Sequence, residues 1–252
     1  MFFNLFGSGR QDEIEEYAEK MAKAALDDKL DADFLEELIA FAKKKDLGNK
    51  QLAKAQASAC DKVFEELYQD GYMDDEDFGL YSDFLKLCYM MKEDDKYRYR
   101  TIASRCNALY KIQEEGLLPR MNKEYANVKY RDGEELYFTA SARFMTPVRK
   151  PVKGEGTVIA PEEPFKVGNF ENHEDKGAWK EGDKGAFWLT SQRIGFRSKV
   201  KKETIELSDL EQAEIGKGPL CLYEKGKEEP LAISLDDYEM VGAILSNLMN
   251  RK

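Results

Sequence analysis

The chain has 252 residues, 42% hydrophobic and 35% charged, which is enough for two ordinary domains with apolar cores and highly charged surfaces. Its formal net charge is −10, and most of it lies in residues 1–118, which hold 26 acidic and 17 basic side chains. Phosphate contacts need clustered Lys and Arg, so this balance argues against a nucleic-acid partner. No apolar run reaches the roughly 18 residues of a membrane span.

The chain starts with an apolar segment, Met1–Phe6, that is too short for a secretory signal and lacks the basic N-terminal region of one. We therefore expect a cytoplasmic location, or a peripheral one at the inner face of the membrane. The apolar segment could pack on the helix that follows or serve as a docking tag. That helix is predicted over residues 11–25, where Ile14, Tyr17, Ala18, Met21 and Ala25 recur at helical spacing.

Two acidic turns, 43 residues apart, each precede a further helix. Helices are predicted over 34–44, 50–68, 78–91 and 97–115, the last with Ile102, Cys106, Leu109 and Ile112 on its apolar stripe. Asp31 and Asp74 are good helix caps. The alternative is a calcium-like divalent cation held by carboxylates. Its candidate ligands are Asp27, Asp28, Asp31, Asp33, Asp70, Asp74 and Asp77.

The paired units with acidic openings distantly resemble the tellurite-resistance TerB-like helical domains. The resemblance rests on the pattern Asp-Gly-x-apolar-Asp, which Asp70 and Gly71 follow, whereas Asp28 stands where glycine is usual. We therefore expect an all-α, TerB-like domain over residues 1–118. A junction over 119–132 would follow it.

The second domain is predicted over residues 133–252. A first strand starts after Gly133 and brings Leu136, Phe138, Ala140 and Ala142 to the core side. A strand pair is predicted around the turn Thr190–Gln192, because apolar and aromatic residues alternate over 185–189 and an extended run resumes at 194–196. Further strands are expected after Lys202, Leu220 and Leu231. A helix capped by Asp236 or Asp237 follows, with a stripe of Val241, Ile244, Leu245 and Leu248.

Two segments resemble the core of bacterial PH-like domains related to the GRAM domain: Gly-Ala-Phe-Trp-Leu-Thr at 185–190 and Arg-Ile-Gly-Phe at 193–196. The Ser-Asp-Leu turn at 208–210, two more strands and a final helix fit the same order. The resemblance implies an α+β, two-domain protein. In it a helical bundle precedes a PH/GRAM-like antiparallel β-barrel or sandwich, which the C-terminal helix caps.

Basic residues cluster on the predicted hairpin and on the first strand with its loop, where they could form a cationic rim for phosphate or anionic lipid. The alternative is an ordinary solvated hairpin, since Glu203 and Glu206 are interleaved. The candidate residues of this rim are Arg143, Arg149, Lys150, Lys153, Arg193, Arg197, Lys199, Lys201 and Lys202.

No catalytic constellation is visible in the sequence. The four cysteines form no Cys-x-x-Cys pair, and His173 is the only histidine and lies among acids in a polar loop. We therefore expect no enzyme and no cofactor other than the cation considered above. The predicted function is a non-enzymatic adaptor that recognises a protein partner or an anionic membrane surface, in stress or envelope-associated signalling as the resemblance implies. The alternative is a divalent-cation sensor that works through the acidic turns.

Overall fold

The structure is a computed structural model that describes residues 8–68, 71–148, 151, 153–154, 156–162, 165–167, 178–215 and 218–251. The chain divides into two compact units, Met1–Tyr110 and Lys111–Lys252. The first is helical, and the described part of the second contains an antiparallel sheet, a short 3₁₀ helix and a C-terminal α-helix. The described chain therefore belongs to the α+β class. Its helices lie mostly in the N-terminal part.

Five helices come first: α1 Ser8–Leu26, α2 Ala32–Lys44, α3 Asn49–Leu67, α4 Asp75–Leu87 and α5 Glu93–Gln113. The most extensive helix contact joins α1 to α3. Ala18 of α1 and Ala55 and Ala59 of α3 are fully buried, and such small side chains allow two helix backbones to approach closely. The predicted stripe of α1 is confirmed, because all five of its apolar residues are buried.

The predicted stripe of α5 is wrong at one position. Ile102 is 46% exposed, whereas its neighbour Ala103 is buried together with Cys106 and Leu109. Successive residues on a helix are about 100° apart, so a face that includes Ala103 leaves Ile102 at its edge. The spacing 102–106–109 alone could not show this, because residues 103 and 106 have an equally good helical spacing.

The sheet of the second unit has eight described strands, all paired antiparallel in the order β2-β6-β7-β8-β1-β3-β4-β5. A short 3₁₀ helix, Lys123–Tyr125, precedes it, and helix α6, Tyr238–Asn250, follows it and packs on β2 and β6. The strands are β1 Leu136–Pro147, β2 Thr157–Ile159, β3 Trp179–Thr190, β4 Arg193–Arg197, β5 Lys202–Glu206, β6 Leu210–Ile215, β7 Leu220–Glu224 and β8 Leu231–Ser234.

Two features of the sheet differ from the sequence prediction. Strand β3 begins at Trp179, six residues before Gly185, and its residues 180–184 are exposed on both faces. Such a segment has no apolar alternation to reveal it, and it is extended because it pairs with β1. After the turn at 208–210 there are three strands rather than two, because β6 follows at once.

Trp188 lies on the face of β3 that looks away from Phe187 and Leu189, yet it is buried. Its ring lies across Gly195 of β4, where a Cβ atom would overlap it, so only glycine fits at this position. The segment before β1 covers the ring from outside, with Met121, Ala126, Val128 and Tyr130. Among the described residues, this segment covers the half of the outer sheet face around Trp188, whereas the other, open half carries exposed side chains such as Lys184 and Arg197.

Candidate anion-binding face

Four cations form a row on the open half of the sheet face. Arg143 of β1 is paired directly with Lys184 of β3, and Arg197 of β4 is paired directly with Lys202 of β5. Ala186, two residues from Lys184, is the β3 partner of Arg197, so the four side chains share one face. All four are exposed. We call these four residues the cationic row.

The cationic row contains two like-charge pairs. Directly opposed side chains on antiparallel strands lie about 5 Å apart, and like charges there are destabilising. Arg143 has one exposed partner, the Glu181 carboxylate at 3.5 Å, which is worth little in water. The other three make no ion pair with any described residue. A local arrangement that opposes stability is typical of a functional site.

The turn between β4 and β5 extends this surface. The Ser198 amide donates to the Lys201 carbonyl at 2.7 Å, and the Ser198 hydroxyl accepts from the amides of Val200 and Lys201, so the turn is ordered. Val200 at its tip is 78% exposed, although it is apolar. Lys199 beside it is exposed and has no ion-pair partner within the described chain. We call Ser198–Lys201 the hairpin tip.

Arg193 shares the face of Arg197 but is not available to an external anion. Its guanidinium contacts both carboxylate oxygens of Glu134, at 2.9 and 3.1 Å, and donates to the Lys129 carbonyl at 2.7 Å. Only 14% of its side chain is exposed. Arg131 is likewise engaged, because its guanidinium forms a bidentate ion pair with the Glu206 carboxylate. The ion pairs Arg193–Glu134 and Arg131–Glu206 thus hold this end of the face together, and we call them the structural staple.

Glu134 is the residue of this staple that the sequence analysis missed. Its side chain is fully buried and also accepts from the Thr190 hydroxyl and the Arg131 amide, each at 2.7 Å. Burial opposes its ionisation, but these donors, with the Arg193 guanidinium foremost, outweigh burial and lower the pKa of Glu134 to about 2. Its position beside a glycine turn, amid other acids, gave no signal of burial.

Two of the remaining rim candidates, Lys153 and Lys201, are engaged by neighbouring side chains. Lys153 pairs with Glu211 of β6 at 2.9 Å and sits over the Tyr223 ring, so it belongs to a different part of the sheet. The Lys201 amine lies 3.5 Å from the centre of the Phe144 ring and 3.5 Å from Glu203. Arg149 and Lys150 lie outside the described residues, as does His173. Lys184 is the member of the row that the sequence analysis did not single out.

The two acidic turns of the helical unit are built alike. Asp31 caps α2 by accepting from the Phe34 amide, and Asp74 caps α4 by accepting from the Asp77 amide, both at 2.8 Å. Asp28 has a φ of 53° and Gly71, its counterpart in the repeat, a φ of 88°. The predicted caps are therefore confirmed, and Asp28 adopts the left-handed conformation that glycine favours.

No group of three or more His, Cys, Asp or Glu residues in the described ranges has the geometry of a metal site. The Asp27 carboxylate forms an ion pair with Lys29 at 3.2 Å. Burial, and then the negative charges of Asp74 and Glu76, raise the pKa of Asp77. Asp70 lies outside the described residues. The structure thus places Asp27, Asp28, Asp31 and Asp33 near α2, and Asp74 and Asp77 near α4, without grouping either set.

Replacing Asp31 or Asp74 distinguishes a cap from a metal ligand. Asparagine caps helices as well as aspartate does, so Asp31→Asn and Asp74→Asn should leave the free energy of unfolding within about 0.5 kcal/mol of wild type. Alanine at either position should cost about 1 kcal/mol. Chemical denaturation measures both. A calcium-dependent rise in melting temperature that the asparagine variants lose would instead show that these carboxylates bind the cation.

A scan against protein-family models gives no match for this chain, and a search of curated proteins gives none either. In the part of the chain that the structure describes, no helix is both long and apolar enough to cross a bilayer.

Proposed function

We propose that this protein is a non-enzymatic adaptor that attaches to an anionic membrane surface through the cationic row and the hairpin tip. The observation that carries the proposal is the pair of directly opposed like charges, Arg143 with Lys184 and Arg197 with Lys202. A fold that places four cations side by side loses stability by doing so. An anionic surface laid over them removes this repulsion.

The hairpin tip supplies the apolar part of such a contact. Val200 is exposed at the turn next to the cations and would enter the interface between lipid headgroups and acyl chains, where full burial of a valine contributes about 1.5 kcal/mol. Aromatic and aliphatic side chains flanked by Lys and Arg are the usual elements of interfacial binding. The ordered Ser198 turn means that little conformational entropy is lost on contact.

The expected affinity is modest. Each cation near an anionic leaflet contributes about 1 kcal/mol, so the row and Lys199 together contribute about 5 kcal/mol. This corresponds to a dissociation constant somewhat below about 1 mM, enough for a reversible peripheral contact. The acidic residues of the chain oppose it, but their repulsion is screened beyond about 8 Å at physiological salt.

We further propose that the second unit is a PH/GRAM-like barrel or sandwich and that the helical unit is TerB-like, as the sequence resemblances imply. Support for the first comes from an antiparallel sheet followed by a C-terminal helix that packs on β2 and β6. Support for the second comes from the repeat of capped helices with matching left-handed residues, Asp28 and Gly71. A crystal structure of the chain, compared with those families, tests both.

Charge reversal within the cationic row tests the membrane proposal. Full-length Arg197→Glu/Lys202→Glu should sediment with phosphatidylserine vesicles at least about tenfold more weakly than wild type, because two attractions become repulsions. Wild-type binding should fall as salt rises from 50 to 300 mM, because the Debye length shortens and the attraction between the cations and the anionic lipids is screened. The two reversed side chains are exposed, so the melting temperature should change little.

The matched control is Lys166→Glu/Lys225→Glu, which changes the net charge equally in the same unit. Lys166 lies beside Ser246 of α6, and Lys225 donates to the Ser208 carbonyl, past the end of β5 that is opposite to Lys202. It should retain most of the binding. Equal loss in both variants would mean that only net charge matters and would contradict the proposed face. Equal recovery of wild type from neutral and anionic vesicles would overturn the membrane proposal in favour of a protein partner.

A further inference from the structure

A cluster of three sulfur atoms lies in the core of the helical unit. The Cys60 Sγ is 3.6 Å from the Cys88 Sγ and 3.6 Å from the Met91 Sδ. Both cysteines are fully buried and free of disulfide bonds, and Met91 is almost fully buried. Neither the proposed adaptor function nor the acidic turns use this cluster.

We propose that Cys60, Cys88 and Met91 form a binding site for a soft monovalent metal ion of the copper(I) type. The donor set is two thiols and one thioether, and thiolate and thioether sulfur select soft ions such as copper(I). Calcium and magnesium require oxygen ligands, which this cluster does not supply. The site is independent of the membrane face, because it lies in the other unit.

The spacing of the sulfurs fits a shared ion. With metal–sulfur bonds of about 2.3 Å, two sulfurs separated by 3.6 Å subtend an angle of about 100° at the ion. Small side-chain rotations would widen this angle to that of a three-coordinate ion. The same two thiols are too far apart to be bonded, since a disulfide needs about 2.05 Å. The cluster therefore presents its sulfurs at chelating separation.

Two of the three ligands lie at a helix end and in a loop rather than within a helix. Cys60 lies on α3, whereas Cys88 is the C-terminal cap of α4 and Met91 lies in the short loop before α5. This loop carries the exposed side chain of Tyr89 and is held by the Met90 amide, which donates to Gln56 at 2.9 Å. A loop of this kind opens locally more readily than a packed helix.

Binding involves no change of oxidation state. Copper(I) enters as the monovalent ion, a copper–sulfur bond forms at each thiol that loses its proton, and the proton passes to water. The Met91 thioether donates a lone pair and loses nothing. Copper(I) must be supplied and kept reduced, so the experiment is performed without oxygen.

The test is competition between the full-length protein and the chromophoric copper(I) chelator bicinchoninate. Wild type should retain one copper(I) per chain, with sulfur-to-metal charge-transfer absorption in the ultraviolet. Cys60→Ala should lose it. Met91→Leu conserves side-chain volume and should remain folded, so a fall in copper(I) affinity of about tenfold or more would report loss of the ligand itself.

Cys221→Ala is the matched control, because Cys221 is also a buried thiol but belongs to the second unit. It should retain the copper(I) affinity of wild type. Three results would overturn the assignment: no retention of copper(I) by wild type, equal loss in the control and in Cys60→Ala, or unchanged affinity in folded Met91→Leu. Tight binding of zinc without copper(I) would also overturn it.

Discussion

Glu134→Gln should lower the free energy of unfolding by about 3–5 kcal/mol, because the variant leaves the Arg193 guanidinium in a mostly buried position without its counter-charge. The amide has almost the shape of the carboxylate, so the loss reports charge and hydrogen bonding rather than a cavity. Urea denaturation at neutral pH measures it. A loss below about 1 kcal/mol would contradict a buried, compensated pair.

The control removes both charges. Glu134→Gln/Arg193→Met should be more stable than Glu134→Gln alone, since no uncompensated charge remains. The pH dependence gives a second check. The pKa of Glu134 falls from 4.5 to about 2 on folding, so its stabilisation is complete above about pH 4.5 and disappears as the pH falls towards 2. Glu134→Gln should lack this part of the acid-induced loss of stability.

Phe196→Ala should destabilise the protein by about 3–5 kcal/mol. Phe196 is fully buried, is paired directly with Phe187 across β3 and β4, and has its ring centre 6.2 Å from that of Phe144. Removing it leaves a cavity between three strands that a sheet cannot close by a small shift. Chemical denaturation at equilibrium measures the loss.

Val200→Ala, on the same hairpin, is the control for Phe196→Ala. Its side chain is exposed, so the change should stay within about 0.5 kcal/mol. The same variant should weaken vesicle binding if the hairpin tip enters the headgroup region. An effect of Phe196→Ala below about 1 kcal/mol would show that this strand pair is not part of the core.

The sequence by itself determined the elements whose signal is local. The apolar stripe of α1, the caps Asp31 and Asp74 and the Asp237 cap of α6 depend on residues within one or two turns of helix, and all were predictable. The strand pair β3–β4 was predictable for the same reason, because its aromatic residues and its turn are contiguous. These features also establish the α+β class.

Only the tertiary structure decided which charges are available. Arg193 and Arg197 are four residues apart on one strand face. Arg193 is ion-paired with Glu134, which is distant in sequence, whereas Arg197 is exposed to solvent beside Lys202. Lys184 joins the cationic row only because the polar half of β3 pairs with β1. Likewise, Cys60 and Cys88 are 28 residues apart and meet only when α3 and α4 pack. Register and helix packing are long-range contacts, and the burial that they create sets the free energy of a charge or a thiol.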